Sequence, residues 1–123
     1  MRGFRQLAVF ELAHKLALTA YRLSADFPQD ERFGLTSQLR RAAASVPTNV
    51  AEGAGRSSPV DFARFLDIAI GSACEVEYLT LLAHDLGYLD DNQLSEITRT
   101  VIPVRRMLFR LATRLRTSAR ANT

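Results

Sequence analysis

Tryptophan is missing from this 123-residue chain, lysine and cysteine occur once each, as Lys15 and Cys74, and there are only six glycines and four prolines. A single cysteine excludes an internal disulfide and suits a reducing compartment. Scarce glycine and proline, together with 47% apolar residues, argue against disorder and for a packed core. No apolar stretch approaches the roughly 20 residues that a membrane-spanning helix needs. The opening "MRGFRQLAVFELAHKLAL" has the two early arginines of a secretory leader. Its apolar run, however, is broken by Glu11, His14 and Lys15, and no small-residue cleavage site follows. The expected location is therefore the cytoplasm, without a membrane partner. No segment alternates with period two over a strand's length, which leaves an all-α domain covering residues 1–123.

Four amphipathic segments are present. Val9, Leu12, Ala13, Leu16, Ala20 and Leu23 share a stripe on a first helix from about Leu7 to Ser24. Leu35, Leu39, Ala42, Val46 and Val50 do the same on a second, which "EGAGRSS" ends. The third has Ser58 as cap, Pro59 at its first position and Asp61 in its first turn, and it runs to Leu86 before Gly87. On it Ile68, Ser72, Glu75, Leu79, Leu82 and Leu86 are expected to face inward. The fourth starts after a cap at Asp90 or Asp91 and carries Leu94, Ile97, Val101, Val104, Leu108, Leu111 and Leu115 to about Arg116, with a bend at Pro103. Short connections between four such helices predict an antiparallel up-down-up-down four-helix bundle.

Within the second helix Pro47 forfeits a bond to the carbonyl of Ala43. Polar residues cluster around it: Gln38, Arg41, Ser45 and Glu52 edge the apolar face, with Asn49 beside them. A carboxylate in the inward stripe of the third helix needs a cation, so Glu75 is expected to pair with Arg41. Arg41, Asn49, Glu52 and Glu75 then form a structural polar network. An active site on Glu52, Glu75 and Arg41 is the competing reading, but the sequence assigns no catalytic residue, and the expected protein is not an enzyme.

No metal or cofactor is expected. His14 and His84 lie in different helices, and neither has a second ligand at i+4. Gly53 and Gly55 lack the Lys-Ser or Lys-Thr of a phosphate loop.

"FPQDERFGLTSQLRRAAASVPTNVAEGAGRSS" followed by "DFARFLDIAIGSACEVEYLTLLAHDLGYL" resembles the four-helix-bundle family first noticed as open reading frames within intervening sequences of bacterial 23S ribosomal RNA genes. The likeness rests on Phe27, Pro28, Glu31, Arg32, Gln38, Arg41, Ala42, Ser45, Pro47, Asn49, on Ala51-Glu52-Gly53, and on Phe65, Leu66, Gly71, Ser72 and Glu75. It extends from "AHKLALTAYRL" to "MLFRLATRL". The resemblance implies a left-handed bundle assembled as a homopentamer and a kinship with the accessory protein of diversity-generating retroelements, a basic pentamer that works with a reverse transcriptase and nucleic acid. It implies no defined reaction.

Charge is the main functional signal. From Arg99 onward there are seven arginines and no acid, whereas the first 98 residues hold nine basic and 13 acidic side chains. Arg99, Arg106, Arg110 and Arg114 fall on one helical face opposite Leu108 and Leu111, a ladder suited to the phosphates of RNA or DNA. No helix-turn-helix signature, zinc pattern or aromatic stacking platform accompanies it, so binding by charge and shape is expected. Phe10, Leu18 and Tyr21 on the first helix, and Ile102 and Phe109 on the fourth, lie off the core stripes and mark an oligomer interface. A protein-protein interaction module without nucleic-acid binding is the alternative that these apolar flanks allow.

Overall fold

The computed structural model describes residues 3–121, and every regular element among them is helical. Helix α1 spans Ala8–Ser24, α2 Leu35–Ala54, α3 Pro59–Asp85 and α4 Asp91–Ala121, with one-turn 3-10 segments at Phe4–Gln6 and Gln29–Glu31. Each helix touches the next in the chain and α4 returns to α1, while neither diagonal pair is in contact. The helices therefore stand at the corners of a square. Side-chain pairs fix their direction. Glu77 on α3 meets Arg105 on α4, and Asp67, ten residues earlier, meets Arg116, eleven residues later. Ser45 of α2 meets Ser72 of α3, and Gly53, eight residues later, lies against Phe65, seven residues earlier. The arrangement is the expected antiparallel bundle.

The helix boundaries follow local chemistry. Ser58 Oγ accepts the amide of Asp61 at 3.1 Å, and Pro59 stands at the first helical position. At the other end of α3, Gly87 has φ +86°, and the amides of Gly87 and Tyr88 donate to the carbonyls of His84 and Ala83. That pattern closes the helix and needs a residue tolerant of the left-handed region. Asp90 and Gln93 cap α4 reciprocally: the Gln93 amide donates to Asp90 Oδ1 at 2.8 Å and the Asp90 amide to Gln93 Oε1 at 2.9 Å. Helix α2 has no capping hydroxyl, since Gly34 precedes it. Glu31 Oε1 takes the Leu35 amide instead, at 3.2 Å.

Helix α4 is longer than expected and continuous through Pro103. The proline lies on the exposed side, so the carbonyl of Arg99 that loses its amide partner is on the face turned to water. Ala119 is still half-buried, which explains why the helix continues past Arg116.

The core is one cluster. Leu16 of α1, Leu39 and Val46 of α2, Leu66 and Val76 of α3, and Ile97 and Leu108 of α4 have no exposed surface. The face of α3 differs from expectation. Leu79 is buried as expected and Leu82 packs partly against the core, but the other buried residues include Ala63, Leu66, Ala69, Ala73, Val76, Thr80 and Ala83, a stripe rotated by roughly 100° from one centred on Ile68 and Glu75. Ala42 and Ala43 on α2 are buried as well, and small side chains on both helices permit their close approach. Large residues are left outside: Ile68, Tyr78, Leu81 and Leu86 are all exposed.

At the α3–α4 turn both imidazole nitrogens of His84 face carboxylates, Nε2 to Asp91 at 2.6 Å and Nδ1 to Asp85 at 3.1 Å. Both nitrogens can donate only in the protonated ring. Hydrogen bonding to Asp91 and then to Asp85 raises the pKa above the ordinary 6.5. The contribution to stability is complete below that unfolded value and disappears as pH rises through the raised folded value. Unfolding titrations at about pH 6 and about pH 9 are expected to show the native chain losing more stability on alkalinisation than His84→Gln. Equal losses would contradict the assignment.

Candidate nucleic-acid interface

Helix α4 carries its arginines in two classes. Arg105 and Arg116 are clasps. Arg105 donates Nε and Nη2 to the two carboxylate oxygens of Glu77, at 2.9 and 3.3 Å, and this partner raises the guanidinium pKa further. Arg116 pairs with Asp67. Both tie α4 to α3. Arg99, Arg106, Arg110 and Arg114 are exposed. Arg99 donates to Ser95 Oγ at 3.3 Å, and among the described residues Arg106, Arg110 and Arg114 have no acidic partner. The expected ladder is thus outward-facing, three of its four members keeping their full complement of donors. Phosphate is the chemistry that such a row can grip.

The polar network around Pro47 is built differently from the expected one. Arg41, Glu52 and Glu75 are exposed, and among the described residues none of their three side chains makes a hydrogen bond or ion pair. The expected Arg41–Glu75 pair does not form, because the rotation of α3 turns Glu75 to solvent, where a carboxylate needs no cation. Asn49 is the member that acts as expected. Its Nδ2 donates to the Ser45 carbonyl at 2.8 Å and to Ser45 Oγ at 3.0 Å, and Ser45 Oγ lies 2.8 Å from Ser72 Oγ. Thr48 Oγ1 adds a bond to the Ala44 carbonyl. Small hydroxyls and one amide, without charges, accompany the proline helix and join it to α3.

The apolar flanks separate into two places. Phe10, Leu18 and Tyr21 line a groove of about 580 Å³ between α1 and α2, floored by Ala44, Pro47 and Ala51. Phe10 stacks on His14 with ring centroids 6.1 Å apart. Phe109, 64% exposed, lies with Ile70 and Cys74 in a groove of about 370 Å³ between α3 and α4. Ile102 is half-buried against the core, not part of that groove. In a square bundle these grooves face opposite directions. Among the described residues no three His, Cys, Asp or Glu side chains gather as metal ligands, and no helix is long and apolar enough to cross a membrane.

Such a bundle is a recurrent architecture, and its packing alone names no family. The family model of the 23S rRNA-intervening sequence proteins matches residues 5–110, and the chain belongs to that family. Arg114, Arg116 and Arg120 lie beyond the matched span. A solved structure of a protein of unknown function from the S23 ribosomal protein family of Bacteroides thetaiotaomicron shares the fold. Its TM-score is 0.77, with 22% identity, over 85% of this chain and 98% of that one. No curated protein sequence matches the chain.

Proposed function

We propose that the protein is a non-enzymatic, homo-oligomeric bundle of the cytoplasm, a scaffold or accessory factor that binds RNA or DNA by charge and shape. The observation carrying this reading is the exposed row of Arg99, Arg106, Arg110 and Arg114 on α4, whose acid-facing neighbours Arg105 and Arg116 are already neutralised by α3. A row of guanidinium groups attracts polyanions and binds phosphates with two donors at once. Self-association belongs to the same reading, since each copy repeats the row. Opposed apolar grooves suit a head-to-tail contact, in which unlike faces meet and the assembly can close into a ring. The resemblance to the family implies five copies.

Gel-shift titration with structured RNA tests the reading. Arg106→Glu combined with Arg110→Glu is expected to weaken binding at least about tenfold and to flatten its salt dependence, because two phosphate contacts are removed per protomer. Binding that is insensitive to both salt and substitution would overturn it.

A further inference from the structure

A second cationic surface lies away from α4. Between the end of α1 and the first half of α2 runs a groove of about 750 Å³ to which Arg32, Arg40 and Arg41 all contribute. No acidic side chain lines it. The nearest acid in the chain, Glu31, is turned elsewhere: Oε1 accepts the Leu35 amide at 3.2 Å and Oε2 the Tyr88 hydroxyl at 3.1 Å. Arg40 is held rigidly, its Nε donating to Ser24 Oγ at 2.8 Å, its Nη2 to the Tyr21 carbonyl at 3.2 Å, and its guanidinium lying 4.8 Å from the Tyr21 ring centre. Among the described residues Arg32 and Arg41 have no acidic partner, so their donors are available. Thr36 and Ser37 add hydroxyls.

Phe33 gives the groove its character. It is 87% exposed, the most exposed of the large apolar side chains among the described residues, and the Arg32 guanidinium sits 5.1 Å from its ring centre. A single exposed ring is ordinary by itself; what sets Phe33 apart is its place in a groove lined by Arg32, Arg40 and Arg41. A ring beside three unneutralised arginines matches one ligand chemistry closely: a flat base for the ring and phosphates for the guanidinium groups. The sequence shows no stacking platform; folding creates one by setting the Arg32–Phe33 turn beside Arg40 and Arg41 of α2.

We propose that this α1–α2 groove binds a single-stranded nucleic-acid segment, one unpaired base stacking on Phe33 while the adjoining phosphates lie on Arg32 and Arg41. Arg40, held by Ser24 and the Tyr21 carbonyl, forms the fixed wall, and Tyr21 is shared with the neighbouring groove of Phe10 and Leu18. The groove shares no residue with the α4 row, and the two surfaces can be tested apart.

Fluorescence anisotropy of the full chain with an end-labelled single-stranded RNA and with a duplex RNA of the same length makes the test. Phe33→Ala is expected to weaken the single strand about fivefold or more while changing the duplex less than about twofold, since only an unpaired base can stack. Phe33→Tyr, which keeps the ring, retains the parental affinity. Arg32→Glu with Arg41→Glu lowers single-strand binding at least about tenfold. These side chains are exposed, so folding is preserved and circular dichroism checks it. Single-strand affinity unmoved by Phe33→Ala overturns the proposal. So does a smaller particle mass for that variant in light scattering, which would make Phe33 a contact with a second copy. Arg106→Glu with Arg110→Glu serves as the independent arm: its effect without a Phe33 effect removes the groove and leaves the α4 row, and the converse removes the row and leaves the groove.

Discussion

Leu66→Ala is expected to cost the protomer about 3 kcal/mol, whereas Ile68→Ala, two residues away on the same helix, costs under about 1 kcal/mol. Leu66 is wholly buried and Ile68 is 45% exposed. Truncating Leu66 removes apolar burial and leaves a void that its neighbours fill only in part. Ala63 and Ala69, one turn away on the same helix, offer no long side chains to swing into it. Ile68 loses only the contact of a side chain already half in water. Urea titrations at low protein concentration read both values, and at this chain length the Leu66 variant should melt about 10 °C or more below the parent. Equal losses would mean that α3 presents to the core the face its larger residues suggest.

That comparison isolates why α3 was the least legible helix. In α1, α2 and α4 one stripe of large apolar residues is buried, although Leu18, Tyr21 and Phe109 lie outside it, so periodicity identifies Leu16, Leu39, Val46, Val101 and Leu108 as core. Helix α3 packs closely on two neighbours, and close approach selects alanine and threonine. Size then points away from the core. An amphipathic reading weights bulk, follows Ile68 and Leu86, and draws Glu75 inward with them. The error propagated to the site, since a buried Glu75 demanded Arg41.

Capping residues, by contrast, act within a few positions of the chain, and Ser58, Pro59, Gly87 and Asp90 do as their types dictate. The outward row of arginines was legible for the same reason as the core of α4, as the complement of one strong stripe. What a stripe cannot reveal is which arginines meet acids on another helix. Arg105 and Arg116 differ from Arg106 and Arg110 only through Glu77 and Asp67, 28 and 49 positions distant. The Arg32–Phe33 turn joins Arg40 and Arg41 by the same long-range logic. Its local signal was the density of "ERF" and "LRR" around the start of α2.

Two glycines of the family-like segments should respond to alanine with opposite signs. Both lie inside helices, where glycine ordinarily costs about 0.5–1 kcal/mol relative to alanine. At Gly71 of α3 an added methyl meets nothing within 4 Å, so Gly71→Ala is expected to stabilise the protein by about 0.5–1 kcal/mol. At Gly53 of α2 the same methyl would lie 2.8 Å from Cδ1 of Phe62 and 2.9 Å from Cβ of Phe65. The Phe62 ring can tilt, but Cβ of Phe65 is fixed by the backbone of α3, and only separation of α2 from α3 relieves the contact. Overpacking of that kind costs about 1–3 kcal/mol and outweighs the propensity gain, so Gly53→Ala is expected to destabilise by about 1–2 kcal/mol and Gly53→Val by more. Thermal melts of the two alanine variants read the signs directly. Stabilisation by Gly53→Ala would mean that the helices are not pressed together at Phe65, and that the Ala51-Glu52-Gly53 segment keeps its glycine for a contact outside the protomer.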